Sequence, residues 1–360
     1  MEMAQQNERG LRDLKGGLFA MNGCPPKRVR TSIVVVNYNG KSFLKNCIDS
    51  LTASEASQEE IIIVDNASID ESCAYIRKEF PHVKLLALDK NYGFAEANNR
   101  GVQSASGEYV IFLNNDTAVT PGWLTGLVNV MEADREIGVA GSKILLMHEP
   151  GKINSAGGAI TFSGGGYDIG FMDNDSERYN IPGVRGCVCG AAMMVRRDEF
   201  LDFGGFDGNY FMYFEDVDLC WRYWLFGKKV VYVPASVVYH KFGGTSGKIR
   251  HAPLRVFYGT RNALLNIIKN YEARSIPFPL FFSFLHHLLK TLYFLLRLEG
   301  NLSMLMIKAY ISFFRLIPEA NTRRKEIQRR RKVSDEYLFD NSLIVSFAVV
   351  FKEFRRLFRI

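Results

Sequence analysis

Tyr109-Val110-Ile111-Phe112-Leu113-Asn114-Asn115-Asp116 is an apolar run that closes on two amides and one acid. An unbroken hydrophobic stretch of this kind reads as a strand buried on both faces of a parallel sheet, which puts Asp116 at the sheet's carboxyl edge. Ligands of open α/β sheets bind at that edge. A carboxylate placed there can hold a divalent cation against a diphosphate. Farther along, Glu215-Asp216-Val217-Asp218 supplies a second acidic cluster, from which a separate carboxylate can take a proton from an attacking hydroxyl. The two together point to a transferase that uses an activated, phosphate-bearing donor.

Outward from this strand the pattern repeats. Ser32-Ile33-Val34-Val35-Val36 and Glu60-Ile61-Ile62-Ile63-Val64, the latter ending at Asp65, read as buried strands, and residues 83–88 as a third. Helical periodicity fills residues 42–51, 70–80, with Asp70 as N-cap, and 94–104. Strands alternating with helices mean βαβ units and a parallel sheet. Residues 151–186, rich in Gly, Asn, Asp and Ser, read as loops and short strands. Order returns at residues 190–195. The acidic cluster then opens a helix that ends before Gly227, and strand 230–233 passes through Pro234 to 237–240, ahead of a glycine-rich loop at 243–247.

After about residue 252 the composition changes. In residues 281–298 the polar positions Ser283, His286, His287, Lys290 and Arg297 recur at helical spacing on an otherwise apolar segment, and residues 302–317 and 343–360 repeat the pattern. None approaches about 20 uncharged apolar residues, so interfacial rather than spanning helices are expected. Residues 323–332 hold seven cations against the single acid Glu326. Flanked by apolar helices, such a run fits an anionic membrane surface better than nucleic acid. A solvated helix face, or packing on the domain or on a second copy of the chain in a homo-oligomer, are the alternatives.

The chain of 360 residues, 47% hydrophobic and 23% charged with net charge +7, has room for a catalytic domain and a smaller appendage. We divide it into a disordered leader (1–28), a catalytic domain (29–250) and a C-terminal helical region (251–360). The leader lacks the continuous apolar core of a secretory signal. Six scattered cysteines without metal-finger spacing fit reduced thiols and a cytosolic setting.

Ser32-Ile33-Val34-Val35-Val36-Asn37-Tyr38-Asn39-Gly40, Val64-Asp65-Asn66-Ala67-Ser68, Asn91-Tyr92-Gly93-Phe94-Ala95-Glu96-Ala97-Asn98-Asn99 and Leu113-Asn114-Asn115-Asp116 resemble the family 2 glycosyltransferases of GT-A fold. Within them the match is to the rhamnosyltransferase-like branch of bacterial surface polysaccharide synthesis. Gly204-Gly205-Phe206-Asp207, residues 211–219 and Tyr258-Gly259-Thr260-Arg261-Asn262 continue it in the family's order. The resemblance implies a Rossmann-like nucleotide-binding sheet and an inverting, metal-dependent transfer from a dTDP- or UDP-linked sugar to a lipid-linked or growing glycan. It places the enzyme peripherally on the inner face of the cell membrane. It implies that Asn37, Tyr38, Asp65, Asn91, Gly93 and Asn115 line the donor pocket, with Asp65 accepting from the base's imide. Asp116 and His240 would hold Mg2+ or Mn2+, and Asp216 would be the general base. Asn114-Asn115-Asp116 departs from the family's acidic triplet by keeping one acid. That thinning makes a non-catalytic membrane-associated scaffold the rival reading, whereas a nucleotidyltransferase would need a glycine-rich, lysine-bearing phosphate loop that is not found near the start of the chain.

Overall fold

The computed structural model describes residues 31–242, 252–346 and 348–349. The expected leader, the glycine-rich loop at 243–247 and residues 350–360 lie outside the described residues.

Strands β1 (Thr31–Asn37), β2 (Glu60–Asp65), β3 (Lys84–Ala87) and β4 (Tyr109–Asn114) alternate with helices α1 (Lys41–Thr52), α2 (Ser72–Glu79) and α3 (Gly93–Gln103). All four strands are parallel, in the order β3, β2, β1, β4. The chain winds outward from β1 to β3, then crosses back to set β4 on the other side of β1. That reversal opens a crevice at the carboxyl ends of β1 and β4. Register Asn37↔Asp65 and Val36↔Asn114 brings the polar ends of β1, β2 and β4 to this one edge.

Beyond β4 the sheet turns mixed. After β5 (Thr117–Val119) and α4 (Trp123–Ala133) come β6 (Ile137–Leu146), β7 (Glu149–Ser155), β8 (Gly158–Thr161), β9 (Gly166–Asp168), β10 (Gly183–Val184) and β11 (Ala192–Arg196). Then follow α5 (Arg197–Asp202), α6 (Glu215–Leu225) and β12 (Lys229–His240). Strand β11 inserts antiparallel between β4 and β6, and β12 runs parallel to β6. Alternate residues fill opposite faces: Val34, Val64 and Phe112 pack with α3 and α6, whereas Ile33, Val35, Ile63 and Ile111 pack with α1 and α4. The two predicted segments around Pro234 are one strand, β12, whose pairing slips between Val233 and Val237 to absorb the proline.

The C-terminal region comprises α7 (Pro253–Asn270), α8 (Pro277–Leu296), α9 (Gly300–Arg330), α10 (Asp335–Asp340) and β13 (Ile344–Val345). Four expectations change here. First, the boundary at residue 250 falls before α7, yet α7 is largely buried against the catalytic layer and bonds into it. Second, the amphipathic segment 302–317 and most of the basic run beyond it share one helix, α9. Third, residues 343–345 are not amphipathic helix: Ile344 and Val345 add a strand to β8 in a separate three-stranded sheet with β9. Fourth, the helical stretch 273–296 is by length and composition apolar enough to cross a membrane, where the sequence pattern favoured an interfacial helix.

Three of the seven cations of residues 323–332 are committed within the molecule. Helix α7 ends with orphan carbonyls, as every helix does. Arg324 donates to the carbonyls of Ile268 (2.7 Å) and Tyr271 (2.5 Å), Gln328 to that of Lys269 (3.0 Å), and Arg331 to that of Asn270. Arg330 pairs with Asp202 at 2.5 Å. Cations at a helix C-terminus also meet its negative dipole end. Lys325, Arg329 and Lys332 are exposed.

Asp70 also differs from expectation. Helix α2 starts at Ser72, and Asp70 ties two helix starts together, accepting from the backbone N–H of Ser72 (3.2 Å) and of Lys41 (2.9 Å).

Candidate active site

The carboxyl edge of β1, β2 and β4 carries a closed chain of polar side chains. Asn115 donates to Asn37 Oδ1 at 2.7 Å, and Asn37 donates to Asp65 Oδ1 at 3.0 Å. Asp65 Oδ2 accepts from the backbone N–H of Ser68 at 2.9 Å. Asn37 and Asp65 are buried, while Tyr38 stands 40% exposed at the rim, where a flat aromatic is open to stacking. Gly40 is fixed by this packing: a Cβ there would lie 2.2 Å from Asn115 Nδ2 and 2.6 Å from Asn37 Oδ1.

Asn91 and Gly93 build a turn. Asn91 Oδ1 accepts from Asn66 (2.9 Å) and from the Gly93 N–H (2.8 Å), and Gly93 has φ +80° with its Cα against the backbone of Phe211. Phe94 N–H donates to the Phe211 carbonyl at 2.6 Å. These residues join the start of α3 to the loop before α6.

Asp116, expected to close the strand, lies in the tight turn between β4 and β5, two residues past Asn114, where β4 ends. His240, at the end of β12, is brought to it because β5 pairs with β12 in register His240↔Thr117. His240 Nε2 and Asp116 Oδ1 are 3.2 Å apart, and both residues are buried. Nδ1 of His240 is 2.7 Å from Asn154 Oδ1, an acceptor. With Nδ1 turned to that acceptor, Nε2 is the ring nitrogen that faces the carboxylate oxygen. Two acceptors at this separation suit a cation between them, since neighbouring ligands of a hexacoordinate ion at ~2.1 Å from it lie about 3 Å apart. The residues present therefore fit a divalent ion, as far as two ligands go. Among the described residues no group of three or more His, Cys, Asp and Glu gathers as a metal site, so a donor's phosphates would have to complete the shell.

The acidic cluster opens α6 beneath β11. Asp216 Oδ2 accepts from the Gly190 N–H at 2.9 Å and Oδ1 from the Val217 N–H at 2.8 Å. The next residue, Ala191, accepts from the Asn114 N–H at 3.0 Å. Gly190 and Ala191 thus strap Asp216 to the end of β4, next to the turn that carries Asp116. Burial raises the Asp216 carboxyl, and the two N–H bonds oppose that rise. Glu215 is pushed up to about 8 by burial and then by the charge of Asp216, and its Oε2 is buried without a partner. Asp218 does not join the site: it pairs with Arg222 at 2.9 Å and Lys269 at 2.9 Å.

Glu215 makes a pH prediction. Its folded pKa lies above the ordinary carboxylate value, so the folded state holds a proton that the unfolded chain releases, and stability falls as pH rises from about 4.5 to about 8. Glu215→Gln should therefore raise Tm at pH 8, by the equivalent of a few kcal/mol, and leave it unchanged near pH 4. Thermal melts across that range check this; an equal gain at both ends would contradict it.

The loop leading to α6 is strained. Phe211, Tyr213 and Phe214 have φ +62°, +68° and +65°, a region costly for side chains of this bulk. Asn262 from α7 holds it, donating to the carbonyls of Tyr210 (3.0 Å), Met212 (2.9 Å) and Tyr213 (2.7 Å), and Arg261 donates to Asn209 and Tyr210. Tyr258 stacks on Phe211 at 5.1 Å. The motif at residues 258–262 thus acts on the loop that aims Asp216.

One residue escaped the sequence reading. Asp168, on β9, is raised to about 6 by burial, against the hydrogen-bonding of Ser155, and by the charge of Asp216; His240 and Arg255 also act on it. Gly166, two residues earlier on the same side of the strand, packs where a Cβ would meet Val217 at 2.7 Å, which turns this side of β9 toward the start of α6. In a Gly- and Asn-rich stretch no periodicity marks such a residue.

Residues 32–204 match the model for glycosyl transferase family 2. A protein of Mycobacterium tuberculosis (strain ATCC 25618 / H37Rv) named N-acetylglucosaminyl-diphospho-decaprenol L-rhamnosyltransferase is 28% identical over 240 residues, 60% of this chain and 77% of its own length. Rhamnosyltransferase WbbL of Escherichia coli (strain K12) is 27% identical over 225 residues, 58% of this chain and 82% of its own. Among solved structures, the mannosyltransferase PcManGT from Pyrobaculum calidifontis in complex with GDP-Man and Mn2+ superposes with TM-score 0.52 at 16% identity, covering 94% of this chain and 93% of its own. Staphylococcus aureus TarS 1–349 in complex with UDP gives 0.53 at 15%, covering 87% and 89%. At these identities the structures establish the fold, which is GT-A.

Proposed function

The chain is a glycosyltransferase whose residues 32–204 form a glycosyl transferase family 2 domain, and from that premise we propose that it is an inverting, metal-dependent enzyme carrying rhamnose from a dTDP-linked donor to a lipid-linked glycan. The observation that carries this reading is the strap of Gly190 and Ala191, which holds the Asp216 carboxylate beside the β4 end that bears Asp116. One side of the crevice is built for a diphosphate and its cation, and the other for a proton acceptor.

In this reading the donor's base rests against Tyr38 at the rim, above the Asn115–Asn37–Asp65 chain. Asp116 and His240 would hold the divalent ion, which supplies charge neutralisation at the departing diphosphate. Asp216, desolvated and held by two N–H donors, takes the acceptor hydroxyl's proton on the opposite face of the sugar. Asp168, within electrostatic reach of both Asp216 and His240, is suited to accept hydrogen bonds from sugar hydroxyls. The relatives named as rhamnosyltransferases support the choice of sugar, and the one named for a diphospho-decaprenol substrate supports a lipid-linked acceptor and hence a place on the inner membrane face.

A thermal-shift panel of nucleotide sugars with and without Mn2+ tests the donor. A ligand at a hundred times its Kd stabilises by about 2.7 kcal/mol, so dTDP-rhamnose should give the largest shift. A larger shift with a UDP- or GDP-sugar would replace the donor. Excess chelator should abolish turnover, and Asp116→Ala and His240→Ala should each remove the Mn2+-dependent part of the shift while leaving the metal-free part. Full turnover in chelator would refute the metal assignment.

A further inference from the structure

Helices α8 and α9 form a hairpin whose inner face is satisfied and whose outer face is not. Inside, Phe284 stacks on Tyr310 at 5.0 Å, His287 bonds the Tyr310 hydroxyl at 2.7 Å, and Phe294 and Met306 are buried against Val256 of α7. Phe278 and Phe282 pack on Phe162, beside β8. Outside, Leu285, Leu288, Leu292 and Leu296 form a stripe at helical spacing along α8, and Ile307, Ile311 and Phe314 form another along α9; all are exposed. The turn between the helices is the extreme case. Leu296 is 85% and Leu298 93% exposed, and Leu298 adopts φ +58°, a conformation glycine takes at far lower cost. Water gives a leucine no compensation there.

We propose that this outer face is seated in the interfacial layer of an anionic lipid bilayer, the hairpin lying in the membrane plane with its tip inserted. This rests on the reading of the chain as an enzyme of lipid-linked acceptors, and names the surface that brings it to them. Charge selects the occupant. Residues 277–318 hold Lys290, Arg297, Lys308 and Arg315 against the single acid Glu299; Arg274, just before them, is paired with Glu272, and Glu319 follows. A second copy laid on the same face would bring like charges together, whereas lipid phosphates neutralise them and the long cationic stems lie along the apolar surface. Lateral packing of α8 on α9 and on Phe162 favours lying over crossing.

The hairpin also orients the site. Its tip end packs on Val256 near the start of α7, and the neighbouring Arg255 lies 5.6 Å from the ring of Tyr213, in the strained loop before Asp216. The inserted tip and the acceptor side of the crevice therefore share one end of α7. Attachment is by apolar insertion, not by the basic run at residues 323–332, of which Arg324 and Arg331 cap α7 and Arg330 pairs with Asp202.

The test is co-sedimentation of the full chain with vesicles of phosphatidylcholine and phosphatidylglycerol, without nucleotide sugar, so that its result is independent of the catalytic reading. The native chain should sediment, and should still do so in about 0.5 M salt, where surface attraction is screened within ~4 Å. Leu288→Glu with Leu296→Glu should weaken binding about tenfold or more, with unchanged Tm. Charge reversal at the exposed Lys325 and Arg329 should leave it intact. Equal sedimentation of the double leucine variant would overturn the proposal. So would absence of vesicle binding with a native dimer that the variant converts to monomer, because a second copy would then cover the face.

Discussion

Asp216→Asn should lower kcat by about 10²- to 10⁴-fold, the range expected for loss of a general base, while the nucleotide sugar's Kd stays within a few fold. Asparagine preserves size and can still accept from the Gly190 N–H, so the loop before α6 keeps its support. Donor affinity is untouched because Asp216 is strapped beside the diphosphate end of the crevice without belonging to the Asn37–Asp65–Asn115 chain. The native enzyme should also show an acid limb. Burial raises Asp216, so the base is protonated up to a pH above that of an ordinary aspartate, and turnover should climb with pH through that raised pKa. Residual turnover of the asparagine variant should lack this limb. Single-turnover kinetics across pH, with donor binding measured by titration, separate the outcomes. Near-native turnover would pass the role to Glu215 or Asp168.

Lys269→Met should cost on the order of 3–5 kcal/mol of stability, the loss expected when one partner of a buried ionic cluster is removed. Lys269 is buried between Asp207 (2.7 Å) and Asp218 (2.9 Å), and Asp218 also pairs with Arg222. Burial alone would raise Asp207, but the Lys269 ammonium holds it well below the usual carboxylate range. A depressed folded pKa stabilises above the unfolded value and is lost as pH falls below it. The gap between native and variant should therefore be widest near neutrality and should narrow below about pH 4. Denaturant melts at several pH values check this; a gap that stays constant down to pH 3 would assign the cost to packing alone.

The sheet was legible because buried parallel strands are written locally. Ile61-Ile62-Ile63-Val64-Asp65 announces both a strand and its polar end, and register then assembles Asn37, Asp65 and Asn114 without further information. Asp116 and His240 were legible through resemblance, although the pairing of β5 with β12 that unites them leaves no periodic trace. What the sequence hid is non-local. The loop contact of Gly93 with Phe211 joins residues more than a hundred positions apart. Arg324 and Arg331 looked free because the carbonyls they cap belong to α7, about sixty residues earlier. Asp168 was silent because the charge of Asp216 that acts on it comes from a distant part of the chain.

The three-stranded sheet carries a consequence for biosynthesis. Ile344 and Val345 close the edge of β8, with Ile160 donating to the Leu343 carbonyl and Phe162 to that of Val345. At ribosomal rates of about 5–20 residues per second, β8 waits on the order of ten seconds or more for its partner. α8 and most of α9 are made in that interval, so their greasy outer face precedes the partner of β8. A nascent chain therefore has the means to reach the lipid surface before its catalytic pocket is finished, so that maturation is completed where the acceptor is found. Stalled nascent chains ending before and after residue 345, probed by limited proteolysis at β8 and β9, would show whether protection arrives with that last strand.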